Sequence, residues 1–163
     1  MGLFDKLKGA VQAVTGGAAT VTIEYPQALL LPGQPLRVRV TATSKGREVK
    51  SGGCFIDVAG TETAQVRNAM PTGYHGSEPG QKVPVDASDS GETFHQAFQI
   101  APAFVLGSNE TKVFEGAFQL PPGVQPSFQG KLCSHAWTLR GRIEAFGNDP
   151  DSGYLPFRVG LAQ

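Results

Sequence analysis

The residues of this 163-residue chain whose types could do chemistry are three histidines, two cysteines and two groups of loop carboxylates. His75, His95 and His135 lie far apart, and none has the local spacing of a metal motif such as His-Glu-x-x-His. Cys133 stands two residues from His135, so on a strand both side chains share a face. A thiolate–imidazole pair needs that geometry together with solvent access; an inert thiol is the simpler reading. Cys54 and Cys133 make no Cys-x-x-Cys pair and no zinc cluster, and a disulfide would require the fold to bring their strands together. Asp86, Asp89 and Glu92 recur at three-residue spacing, and Asp149 and Asp151 flank a proline. Loop carboxylates can hold calcium, but neither group follows the EF-hand pattern, and turns account for both. Ser77, Ser90, Ser127 and Ser134 lack a nucleophile-elbow context, and Gly52-Gly53 lacks the lysine and helix of a phosphate loop. The sequence therefore predicts no enzyme, no cofactor and no metal.

Arginines are the stronger candidates for contact. Arg37, Arg39, Arg140, Arg142 and Arg158 all alternate with apolar residues, so all project away from the core. On neighbouring strands they would form one basic patch able to pair with phosphate or carboxylate on a partner. Cross-strand pairs with Glu24, Glu115 or Glu144 are the ordinary alternative. Nucleic acid is not expected: 14 basic residues balance 14 acidic ones, and no aromatic platform interleaves with the arginines.

The elements that must position these residues are strands. In residues 36–43, Leu36, Val38, Val40 and Ala42 alternate with Arg37, Arg39, Thr41 and Thr43. Val21, Ile23 and Tyr25 form an earlier row, and Cys54, Ile56 and Val58 a later one opposite Phe55 and Asp57. Residues 44–50 read as a hairpin loop between the last two strands. Further rows are Phe94, Gln96, Phe98 and Ile100; Phe114, Gly116, Phe118 and Leu120; Trp137, Leu139, Gly141, Ile143 and Ala145; and Leu155, Phe157, Val159 and Leu161. Between residues 60 and 92 the alternation weakens; residues 64–69 read as a short strand, and residues 70–91 as a long surface loop rich in Pro, Gly, Ser and Asp. Seven or eight strands without helical crossovers predict an all-β, mostly antiparallel two-layer sandwich over residues 19–163.

Residues 1–16 differ. Leu3, Phe4, Leu7, Val11 and Val14 recur at helical spacing, and Gly16-Gly17 stops the run, which predicts a short amphipathic helix. A helix of about three turns is marginal alone in water and needs a surface to lie on. That surface is the chain's own sandwich, a partner or second copy, or a lipid interface. Thin basic content, Lys6, Lys8 and the amino terminus, argues against peripheral membrane contact. The absence of a signal-peptide core or an 18-residue apolar run predicts a cytoplasmic protein.

Several stretches resemble the amino-terminal half of arrestin-like proteins: the strand from Phe114 to Leu120, the following Pro121-Pro122, the turn Pro126-Ser127-Phe128-Gln129-Gly130 and the strand carrying Trp137, Leu139, Ile143 and Ala145. Leu31-Pro32-Gly33-Gln34, followed by Leu36, Val38 and Val40, resembles that family's opening. The style is closest to bacterial sporulation-control-like relatives, which also begin with a short helical lead-in. The resemblance implies a single arrestin-like, immunoglobulin-like sandwich and a non-enzymatic adaptor or scaffold that binds proteins. Eukaryotic arrestins have two such sandwiches and this chain has length for one, so their interdomain cleft does not carry over. Alternatives are a self-assembling structural subunit, a homo-oligomer within a larger particle, and a calcium- or carbohydrate-binding sandwich. The residues expected at a protein contact are the apolar row of residues 1–16 and the five arginines.

Overall fold

The computed structural model describes residues 17–69 and 84–161. Ten strands follow in chain order: β1 (Ala19–Glu24), β2 (Leu29–Leu30), β3 (Pro35–Ser44), β4 (Val49–Ala69), β5 (Val85–Ala101), β6 (Phe104–Leu106), β7 (Thr111–Gln119), β8 (Phe128–Gln129), β9 (Cys133–Ala145) and β10 (Leu155–Val159). The helix expected over residues 1–16, with Leu3, Phe4, Leu7, Val11 and Val14, lies outside the described residues. A three-stranded sheet runs β1-β3-β7. A seven-stranded sheet runs β2-β10-β9-β4-β5, with β6 beside β4 and β8 beside β9. Every pairing is antiparallel except the short β2–β10 contact.

Alternation builds the two layers. Ala19, Val21 and Ile23 on β1 and Leu36, Val38, Val40 and Ala42 on β3 supply one inner face. Ile56, Val58, Trp137, Leu139, Ile143 and Phe157 supply the other. Two glycines let the layers close: a Cβ on Gly141 would stand 2.9 Å from Val40 Cγ2, and one on Gly116 would stand 2.5 Å from Ile100 Cγ2. Buried polar tips are satisfied across the core. Tyr25 donates its hydroxyl to the Pro156 carbonyl at 2.8 Å, and Trp137 Nε1 donates to the Gln125 carbonyl at 2.8 Å.

Three expectations are corrected. Residues 44–50 are not a hairpin loop, because β3 and β4 belong to different sheets and the chain crosses between layers there. The loop expected over residues 70–91 is strand from Val85 onward: β4 runs to Ala69 and β5 begins at Val85, while residues 70–83 lie outside the described residues. No apolar alternation marks residues 86–93 because both faces of that ribbon meet solvent. Leu161 lies past the end of β10 and is exposed rather than part of the inner row.

Candidate interaction surfaces

β4 and β5 pair from Cys54 opposite Ala101 to Ala69 opposite Val85. On its other side β4 pairs with β9 as far as Ala64 opposite Cys133, and the Gln65 backbone N–H still donates to the Leu132 carbonyl at 2.7 Å. Beyond that point the two strands continue alone as an arm. Residues 64–68 and 86–93 are exposed. A two-stranded ribbon with no packed face is at best marginally stable in water. Breaks in register between Gly60 and Thr61 and between Val66 and Ala69 bend it, with Asn68 held at φ 53° in the second. Among the described residues β5 pairs with no strand on its outer edge. Asp86, Asp89 and Glu92 make the exposed stretch of the outer strand β5 acidic, and Arg67 lies on β4. Asp86 Oδ1 accepts from the Asn68 backbone N–H at 3.0 Å, tying the two strands together.

A polar contact fixes the root of the arm. Thr93 Oγ1 lies 2.7 Å from His135 Nε2, a bond that reaches from β5 to β9 across β4. It passes Gly60, which is paired with Phe94 on one side and Trp137 on the other. A Cβ there would stand 3.0 Å from Thr93 Oγ1 and 3.3 Å from His135 Cε1, so the crossing depends on glycine. His135 is 2% exposed, stacks near Phe128 at 6.3 Å between centroids and meets Trp137 edge-on. Its Nδ1 makes no hydrogen bond among the described residues. Burial pushes the imidazole pKa below its ordinary value, with the Pro126 backbone and the Glu62 carboxylate opposing more weakly.

The five arginines do not form one patch. Arg37 and Arg39 lie on β3 in the three-stranded sheet; Arg140, Arg142 and Arg158 lie on β9 and β10 in the other. Arg39 makes the ordinary cross-strand pairs, at 2.9 Å to Glu115 and 3.7 Å to Glu24. Arg140 and Arg142 converge on Asp57, which is 3% exposed although it faces outward. Arg140 Nε donates to Asp57 at 2.9 Å, and Arg142 Nε donates to both its oxygens at 3.1 and 2.9 Å. Each guanidinium reaches a second carboxylate at 3.1 Å, Asp151 for Arg140 and Asp149 for Arg142. Arg140 lies 4.7 Å over the Tyr154 ring and Arg142 4.6 Å over Phe55. Burial opposes the Arg140 charge, but its bond to Asp57 and the fields of Tyr154, Asp57 and Asp151 outweigh it and raise its pKa. Two arginines among three carboxylates form a closed lattice that staples the β9–β10 turn to the sheet. Arg37 and Arg158 stand exposed on different sheets.

No group of three His, Cys, Asp or Glu among the described residues could hold a metal. Cys133 and His135 do not act together: the His135 Nε2 bond goes to Thr93, Nδ1 has no bond among the described residues, and Cys133 is exposed while His135 is buried. Cys54 and Cys133 are free thiols, one buried and one exposed. Asp149 and Asp151, which the sequence left to turns, are the outer members of the arginine lattice. Their proximity to Arg140 and Arg142 follows from the short β9–β10 connection, and that connection was the available signal. The arm carried no such signal.

No protein-family model matches the chain, and no curated protein matches its sequence. Among solved structures the fold is similar to the crystal structure of Spo0M, the sporulation control protein of Bacillus subtilis, with a TM-score of 0.58 at 16% sequence identity. The match covers 90% of this chain and 51% of that one, so the chain spans about half the length of Spo0M. The arrestin-like, sporulation-control-like resemblance of the strands around Trp137 therefore has a counterpart in three dimensions: two β-layers closed over one core, in the manner of Spo0M.

Proposed function

We propose that this chain is a non-enzymatic adaptor or scaffold of the arrestin-like type that binds a protein partner through the β4–β5 arm. The carrying observation is the ribbon itself: residues 66–69 and 85–87 run past the end of the β9 ladder, residues 64–68 and 86–93 are exposed, and β5 presents its outer edge along this stretch. An open edge takes up an extended segment by backbone hydrogen bonding. Its charge selects the partner. Asp86, Asp89 and Glu92 on the edge strand disfavour pairing with a second copy, where like charges would face each other, and favour a basic segment. That argues against the self-assembling subunit, at least through this edge. Residues 19–163 form one sandwich unit in this reading, and a cytoplasmic setting supplies the partner.

Ala64 and Asp89 are directly opposed, so the arm is removable at a paired position. Joining them through an Asn-Gly turn gives a two-residue hairpin of the favoured kind. Affinity recovery from host cytosol is then compared for the full and arm-shortened chains, with urea midpoints as the folding control. The proposal expects a stoichiometric partner that is lost on shortening while the midpoint stays. Identical recovery by both chains refutes it. A large self-assembly that dissolves on shortening would establish the structural-subunit reading instead.

A further inference from the structure

We infer that the opposite end of the sandwich is a docking surface for anionic lipid headgroups. At this end Ala18 accepts the Lys45 backbone N–H at 2.9 Å, so the departure point of residues 1–16 and the β3–β4 crossing lie together. Gly17, Arg47, Lys50 and Phe146 line one recess of about 410 Å³. Phe146 is fully exposed at the tip of the β9–β10 turn, beside Gly147 at φ 91°. Lys45, Arg47 and Lys50 are all exposed, and none makes an ion pair among the described residues.

Two features select the occupant. An apolar ring on a turn that shares a recess with exposed cations suits a fluid interface, where the ring enters the acyl boundary and the cations meet phosphate and carboxylate. The segment that leaves the recess adds an apolar row at helical spacing with Lys6 and Lys8 beside it. The thin basic content of residues 1–16 argued against lipid. The fold changes that balance by placing Arg47 and Lys50 in the recess beside Glu48, with Lys45 next to Ala18. The site is independent of the arm: β4 begins beside the recess at Val49 and ends in the arm at Ala69.

The test is co-sedimentation of the full chain with vesicles of about one part phosphatidylserine to two parts phosphatidylcholine, and with pure phosphatidylcholine vesicles. Binding is expected to the anionic vesicles only, and lost at about 1 M salt, where screening acts within about 3 Å. Each of Lys45→Glu, Arg47→Glu and Lys50→Glu should weaken it at least about fivefold, the equivalent of one surface cation. Phe146→Ser should weaken it further without moving the urea midpoint. No binding to anionic vesicles overturns the inference and leaves an acidic protein face as the partner of this end. Equal binding to neutral vesicles overturns it, as does binding that survives all four substitutions and vanishes only when residues 1–16 are deleted.

Discussion

Replacing Asp57 with alanine tests whether the arginine lattice is structural. Asp57 is buried and accepts three hydrogen bonds from two guanidinium groups at 2.9–3.1 Å. Removing one partner of a fully buried ion pair costs about 3–5 kcal/mol, and an exposed pair is worth about 0–1 kcal/mol. This lattice lies between those limits. The Arg140 and Arg142 side chains keep 29% and 19% of their exposure, and each retains a second carboxylate and an aromatic face after the change. Neither cation is stranded, so the expected loss is about 2 kcal/mol. In urea the midpoint should fall by about 1 M with an unchanged slope, since the surface exposed on unfolding is the same. Asp57→Asn keeps one acceptor oxygen and should fall in between. A loss under about 0.5 kcal/mol for Asp57→Ala would refute the reasoning, showing the lattice to be a surface ornament with no more worth than an exposed pair.

Other expectations follow from the core and the arm root. Burial lowers the His135 pKa, so the native state favours the neutral ring while the unfolded chain takes up a proton near the ordinary value of about 6.5. The contribution of His135 is therefore present above that pH and declines as pH falls through and below it, by at most about 1.4 kcal/mol per unit. Urea midpoints across the range should show less acid sensitivity in His135→Gln than in the parent, and equal slopes would refute this. The Cys54 thiol is pushed up to about 12, chiefly by burial, so a thiol reagent near neutral pH should titrate Cys133 at once and Cys54 only on unfolding; two fast thiols would contradict the packing. Gly116→Ala places a methyl 2.5 Å from Ile100 Cγ2 and should cost about 1–3 kcal/mol by calorimetry or urea. Combined with Ile100→Ala it should cost less than the two single changes together.

The inner rows were legible because period-two alternation records burial on one face, and the strands around Val38, Leu139 and Phe157 have one buried face each. The outward direction of Asp57, Arg140 and Arg142 was legible for the same reason. Their convergence was not, because it depends on which strands pair: β9 lies beside β4, with Asp57 opposite Arg140, and no local pattern encodes that register. The same ignorance of pairing made five outward arginines look like one patch, when β3 and β9 belong to different layers. The arm was the least legible element. A strand solvated on both faces has no alternation, and its Ser, Asp and Gly content reads as loop. What makes it a strand is the ladder with β4, which is a tertiary fact.

One strand joins the two proposed surfaces. β4 starts beside the recess lined by Phe146 and runs 21 residues to Ala69 in the arm. At about 3.3 Å per residue its length is about 65 Å, the sandwich lying between its ends. Changes at the two ends share no side-chain partner, so their effects on stability and binding should add. The arm-shortened chain should sediment with anionic vesicles as the parent does, and Phe146→Ser should recover the same protein partner. A chain that lost both properties through either change would have lost its fold, or would bind through one surface only. Two independent losses would instead describe a scaffold that meets a lipid surface with one end and holds a protein segment at the other.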